Sequence, residues 1–264
     1  AFAKKVAALG FNLAILGQNE ERLNKTALTL HEINSQVRVI TIKADLSGDP
    51  EKVTQEVIQQ LEGLDISILY FNAGFGAYEL AASPTENTLR QFRSNIVTHQ
   101  YLFQALYPKL VKRKLNGIRR GAVLFTSSVG AYFGAPGAIV YSATKAYLGH
   151  LGECLATEAE YYGIDVLSLY PAGVNSGFAE RIKNVKFPKA VEKYGQKPDN
   201  VADLALRGLG RVTRVDSGFQ AIIIRIVTKL IDANVMIKLL QKVMPGFLRD
   251  MNLLPIRQTE NIIE

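Results

Sequence analysis

Five short, largely apolar runs, Leu13–Leu16, Val37–Ile42, Ile66–Phe71, Ala122–Thr126 and Val166–Tyr170, recur along the chain with helix-length patterns between them. Strands that are apolar along their length belong to a sheet covered on both faces, and connections long enough to hold a helix join parallel strands. The intervening patterns supply those helices. Ala3, Val6, Ala7 and Leu9 stand at helical spacing before Gly10, Glu20–His31 is a polar helix, and Asp49-Pro50 opens a helix to Leu61. Asn87–Arg113 is a long helix, and another precedes the fifth run. The sequence therefore specifies an α/β fold with a doubly wound parallel sheet. In such a fold ligands sit beyond the carboxyl ends of the strands. Gly17-Gln18, Asp45, Asn72-Ala73-Gly74, Ser127-Ser128 and Pro171-Ala172-Gly173 fall at those ends and should line one crevice.

The length of 264 residues, 48% hydrophobic, suits one domain over 1–264. A lone cysteine, Cys154, excludes an internal disulfide framework and suits a reducing compartment, so a cytoplasmic setting is expected. Three histidines far apart (His31, His99, His150) argue against a metal site or a Ser-His-Asp triad, and no metal is expected. The net charge of +7 is concentrated at Lys109, Lys112, Arg113, Lys114, Arg119 and Arg120, a segment without an acid. It reads as a solvated helix end and loop; nucleic acid is the weaker reading, and contact with a membrane surface is an alternative. No run of roughly 18 uncharged apolar residues marks a membrane span. After Gly210 the strand–helix rhythm fades into a helical extension over 217–264. Just before it Arg211–Val215 is a candidate last strand, and within it Ala221–Leu240 is one basic amphipathic helix, of a kind that can lie on a membrane but is expected to pack over a substrate cleft or a partner subunit.

Of eleven tyrosines only Tyr141 is followed four places on by lysine, Lys145. On a helix the two share a face, and a cation beside a phenol favours the phenolate, so the pair suits proton transfer. Ser128 lies beyond a strand with twelve residues between it and Tyr141, where its hydroxyl could meet the same substrate oxygen.

Here the sequence resembles the short-chain dehydrogenase/reductase family, in its ketoreductase-like branch. The resemblance rests on Asp45-Leu46, Asn72-Ala73-Gly74 continuing to Tyr78, Asn95 in Asn-Ile-Val-Thr, Ser128, Tyr141-Ser-Ala-Thr-Lys145 and Pro171-Ala-Gly-Val-Asn-Ser176. These stand in the family's order over most of the chain. The resemblance implies a Rossmann-like sheet and a nicotinamide-dependent hydride transfer at a carbon bearing oxygen. Tyr141 would be the general acid in reduction, Ser128 would polarise the carbonyl, Lys145 would hold the nicotinamide ribose and lower the Tyr141 pKa, and Asn95 would position a water beside Lys145. Gly17, Gln18, Asp45, Leu46, Asn72, Ala73, Gly74, Pro171, Gly173, Val174 and Ser176 would line the cofactor. NADP is the preferred cofactor, because Gly17 stands where an acid would bind a ribose 2′-hydroxyl; NAD is the alternative, and Arg22 is a candidate for the phosphate.

Departures qualify the match. The family's first strand and Gly-rich turn would stand before Ala1, so the sequence reads as N-terminally truncated with a gap in its sheet. Phe71 and Ala172 replace the usual Asn and Gly, and Lys112–Arg120 is insertion-like. A mobile substrate loop is expected over 176–200, with Phe178, Ile182, Val185 and Phe187 as apolar walls for an apolar carbonyl or alcohol such as a ketoacyl chain or steroid. A homo-oligomer is expected through helices 87–113 and 141–162, with Leu102, Leu106, Leu148 and Leu151 serving either that contact or the sheet. The competing class is a non-catalytic binding protein without a complete cofactor site.

Overall fold

The computed structural model describes residues 1–113, 121–134, 137–178, 182, 195–250 and 253. The elements in order are α1 (Phe2–Ala8), β1 (Leu13–Gly17), α2 (Glu20–Ile33), β2 (Val39–Lys43), α3 (Pro50–Gln60), β3 (Ile68–Phe71), α4 (Glu86–Phe92), α5 (Thr98–Val111) and β4 (Gly121–Thr126). They continue with α6 (Ile139–Ala159), β5 (Ile164–Pro171), α7 (Pro198–Gly208), β6 (Arg214–Ser217), α8 (Phe219–Leu230) and α9 (Ala233–Asp250). A five-residue π-helical segment, Arg93–Val97, joins α4 to α5.

Local chemistry sets several of these bounds. Asn19 and Asp49 cap α2 and α3 by accepting the N–H of Arg22 and Lys52, each at 2.8 Å. Pro50 and Pro198 occupy first turns, where a missing N–H costs nothing.

All strand pairs are parallel, as the apolar runs require. They form two sheets, β1–β2 and β3–β4–β5–β6, rather than one. β4 shows why both faces need cover. Val123 and Phe125 enter a core shared with α3, α5 and α6, whereas Ala122 and Leu124 enter a second one with Leu167, Leu169, Val201 and Ala205. α6 lies directly on the sheet, since a Cβ at Gly152 would collide with Ser168 Oγ and Phe125.

Two expectations change, and one left open is narrowed. The last strand is Arg214–Ser217 rather than Arg211–Val215. The single helix expected over Ala221–Leu240 is two, because Ile231 is extended and Asp232 Oδ1 accepts the N–H of Asn234 at 2.9 Å to start α9. Leu102, Leu106 and Leu148 are buried in the core with Leu151 packed against it, so they serve the sheet. Of the basic cluster, Arg113 is ion-paired with Asp65 at 2.5 Å, and Lys114, Arg119 and Arg120 lie outside the described residues. Among the described residues no helix is long and apolar enough to cross a membrane.

Candidate active site

β4 ends at Thr126, and the chain turns through Ser127 and Ser128 into a 3-10 turn at Val129–Ala131. The two serines diverge there. Ser127 is buried and donates to the Lys145 carbonyl at 2.6 Å, fastening the strand end to α6. Ser128 accepts the N–H of Gly130 at 3.2 Å, and a Cβ at Gly130 would meet both Ser128 Oγ at 3.6 Å and the Tyr141 ring at 3.8 Å, so the two side chains flank one position. The geometry thus pairs Tyr141 with Ser128.

Tyr141 and Lys145 lie on consecutive turns of α6. Lys145 is 3% exposed, and its Nζ donates to the Thr126 carbonyl at 2.9 Å while lying 5.9 Å from the centroid of the Tyr141 ring. The expected tuning is reversed here. Burial and the neighbouring Tyr78 phenol push Tyr141 above its ordinary 10, and the hydrogen bond with Ser128 pulls only part of the way back. Burial lowers Lys145 from 10.5 to about 8. Desolvation of a buried charge outweighs attraction across such a distance, so Tyr141 is held as a neutral phenol.

Asn95 sits at the centre of the π-helical segment and is fully buried. Such single-turn π segments concentrate at functional sites because they re-aim a side chain. Its Oδ1 accepts the Phe75 N–H at 2.8 Å, and its Nδ2 donates to the Phe75 carbonyl at 2.9 Å and to Thr144 Oγ1 at 3.1 Å. These bonds clamp the loop after β3 against α6. A Cβ at Gly74 would meet Lys145 Nζ at 3.0 Å and Asn95 Oδ1 at 3.9 Å, so this glycine leaves the space into which both groups look. His99, one turn after Asn95, has Nδ1 3.0 Å from the Asn95 carbonyl, and burial lowers its pKa to about 4.

The remaining candidates line the strand ends in smaller groups. Asn72 accepts from Thr126 Oγ1 at 3.1 Å, beside exposed Ala73. Gly17 closes β1, and the next residue, Gln18, donates to Asp45 Oδ2 at 2.9 Å. Burial raises the Asp45 carboxyl, but the Ser47 N–H and hydroxyl, the charge of Arg90 and Gln18 together hold it below its ordinary value. Leu46 is buried, its carbonyl accepting from Thr98 Oγ1 at 2.8 Å. Pro171 closes β5, and Gly173, Val174 and Asn175 pair with Gln196, while Ser176 N–H turns back to Val174. Phe71, at the place of the usual Asn, stacks on Phe125 with centroids 5.1 Å apart, and Ala172 N–H pairs with Ser217.

Aromatic rings surround the Tyr141 phenol. Tyr78 stacks on Tyr141 at 6.4 Å and Phe178 tilts against it at 5.8 Å. A Cβ at Gly76 would collide with Phe178 and come within 3.2 Å of Ile182. Val185 and Phe187 lie outside the described residues. Thr126, Thr144 and Gln91, whose Oε1 accepts the Ala77 N–H at 2.6 Å, were not singled out from the sequence. Thr126 could have been found from its place at a strand end; nothing local marks the other two.

Residues 1–186 match the short chain dehydrogenase family. A very-long-chain 3-oxoacyl-CoA reductase of Pyricularia oryzae is 31% identical over 165 residues, 62% of this chain and 49% of that protein. The mouse protein of the same name is 25% identical over 217 residues, 80% of this chain and 67% of the relative. The chain thus spans about half the length of the fungal relative. Among solved structures, a 7β-hydroxysteroid dehydrogenase superposes with a TM-score of 0.69 at 26% identity, covering 83% of this chain and 82% of that one. A Sphingobium yanoikuyae short-chain dehydrogenase, at 24% identity, shares the fold with a TM-score of 0.69 over 100% of this chain and 93% of its own.

Proposed function

The chain belongs to the short chain dehydrogenase family, and from that premise we propose that it is an NADP-dependent oxidoreductase that reduces a carbonyl, or oxidises the matching alcohol, on an apolar substrate. The observation that carries the reading is a chain of neighbours: Ser128 beside the Tyr141 phenol, the Tyr141 ring 5.9 Å from Lys145 Nζ, and Lys145 and Asn95 together at the space left by Gly74. That space also supports a cofactor. Lys145 commits one N–H to Thr126 and turns its buried ammonium toward a position without a side chain, which suits the hydroxyls of a ribose. The cofactor, when bound, supplies or accepts the hydride.

The chain's own groups do the rest. Tyr141, kept protonated by burial, donates its phenolic proton to the carbonyl oxygen as negative charge grows there, and Ser128 donates a second hydrogen bond to that oxygen. Lys145 lies close enough to favour the phenolate that the transfer leaves behind. Asn95 holds the Gly74–Phe75 backbone in place and so keeps the Lys145 side open.

Tyr78, Phe178 and Ile182 favour an apolar acyl or steroid-like body over a sugar, and the names of the relatives agree with a 3-oxoacyl chain. For the cofactor, Gly17 leaves the end of β1 without an acid; the Asp45 carboxylate bonded to Gln18 would oppose a phosphate there. The test is NADPH and NADH consumption with 3-oxoacyl thioesters of increasing length, a bulky ketone and a small sugar. Turnover that rises with chain length and prefers NADPH supports the reading. Turnover on the sugar alone removes the apolar assignment, and none with any substrate favours the non-catalytic class.

A further inference from the structure

Helix α8 is mounted with its polar side inward. At about 100° per residue, Ala221, Ile224, Arg225 and Thr228 share the side turned to the domain. Ala221 is buried, and Arg225 Nη1 binds Asp216 Oδ2 at 2.6 Å. Asp216 also accepts from the Tyr132 hydroxyl, in the segment that follows Ser128. Arg214 stacks over the rings of Tyr132 and Tyr170, 4.9 and 4.3 Å from their centroids, and binds Glu153 of α6 at 2.9 Å. This latch fixes which way α8 faces.

The opposite side of α8 carries Phe219, Ile222, Ile223, Ile226, Val227 and Leu230, all exposed, with Phe219 at 77% and Leu230 at 80%. In α9, Leu248 is buried while Val235, Leu239 and Val243 stay exposed on a shared side. Of the two placements expected from the sequence, a cleft and a partner subunit, the first is not met within this chain, where the apolar face is exposed. An apolar patch of this extent on a soluble domain marks a docking surface. Lys229 on α8 and Lys238, Lys242 and Arg249 on α9 are exposed too, and at about 100° per residue Lys229 flanks Ile222 and Lys242 flanks Val235. The acid between the helices, Asp232, spends its carboxylate on the N–H groups of Asn234 and Val235.

We propose that α8 and α9 form one surface that docks on an anionic lipid bilayer, the apolar side chains entering the acyl boundary and the lysines meeting headgroup phosphates. An apolar face with a basic rim is the pattern that such a surface selects. A second copy fits less well, because a two-fold contact through this face would set the lysines of one copy near those of the other. The inward side of α9 touches the turn before α6: a Cβ at Gly137 would come within 3.0 Å of Leu248, and Gly137 also lines a cavity of about 190 Å³ with Ala77, Glu79, Leu80, Thr88 and Val140. The docking inference is independent of the oxidoreductase reading, since lipid binding is measured without turnover.

The experiment is co-sedimentation of the full chain with vesicles of phosphatidylcholine alone or with about a third phosphatidylserine, across a salt series. The chain should pellet with the anionic vesicles and progressively less as salt rises. Ile223→Glu/Ile226→Glu should lower binding about tenfold or more with an unchanged melting temperature, because both residues face water. Lys229→Glu/Lys238→Glu/Lys242→Glu should remove the preference for phosphatidylserine, at roughly fivefold per lysine. Wild-type chain left in the supernatant with anionic vesicles, or both variants pelleting like wild type, overturns the proposal. So does a dimer in sedimentation velocity that Ile223→Glu/Ile226→Glu dissociates while neither protein binds vesicles.

Discussion

Tyr141→Phe removes one hydroxyl and keeps the ring against Tyr78 and Phe178. If Tyr141 is the proton donor, NADPH binding should persist while reduction falls by about 10²-fold or more, read by cofactor fluorescence titration and steady-state rates. Near-normal turnover would remove Tyr141 from the chemistry. Lys145 permits a test that needs no substrate. Its pKa of about 8 in the fold, against 10.5 ordinarily, means the unfolded chain binds more protons between those values. Stability should therefore rise as pH is raised from about 8 to 10.5, with the full cost of the buried charge present below 8. Lys145→Met should flatten that rise and leave the melting temperature at pH 7 equal or higher; thermal melts at stepped pH decide. Tyr141 and Lys145 were legible as a pair four places apart on one helix and Ser128 as a hydroxyl beyond a strand end, whereas Asn95 was named only through the family resemblance. The direction of the pKa shifts was not legible, because it depends on burial and on Tyr78, both set by packing of the Asn72–Tyr78 loop over α6.

Most elements were legible as well, since an apolar run followed by Gly, Asn or Asp announces its own end, as Leu13–Gly17 and Ile68–Phe71 do. The break between α8 and α9 was hidden, because apolar residues continue at helical spacing on both sides of Ile231 and the capping signal is a single Asp. The inward turn of Arg225 was hidden for a different reason: its partner, Asp216, lies on β6, and helical periodicity alone assigns the apolar side to the core. Asp232→Ala tests the break. Loss of the bonds to Asn234 and Val235 should cost about 1 kcal/mol locally. Because α9 lies outside the main core clusters, the loss should appear as faster amide exchange in its first turn and hardly move the melting transition. A drop of the whole transition would mean instead that the two helices brace the domain.

At the scale of the molecule, the described strands form two parallel sheets with no ladder between them, yet one apolar cluster spans both. Ile42, Leu46 and Val57 from the β1–β2 side join Leu69, Phe71, Val123 and Phe125 from the other. Side-chain burial, which tolerates small displacements, therefore ties the halves together in place of a ladder, which does not. Opening should be graded accordingly. β4 is hydrogen-bonded to β3 and β5 along its length, and Val123 and Leu124 are fully buried, so their amides should exchange only through global unfolding. β1 pairs with β2 alone, and Ala14 is exposed, so amides of β1 should exchange by local opening at lower free energy. Hydrogen exchange followed by mass spectrometry under native conditions should then show β1 labelled well before β4, with added denaturant bringing the two rates together. Equal protection of β1 and β4 in the absence of denaturant would show that the shared cluster alone makes the two sheets one cooperative unit.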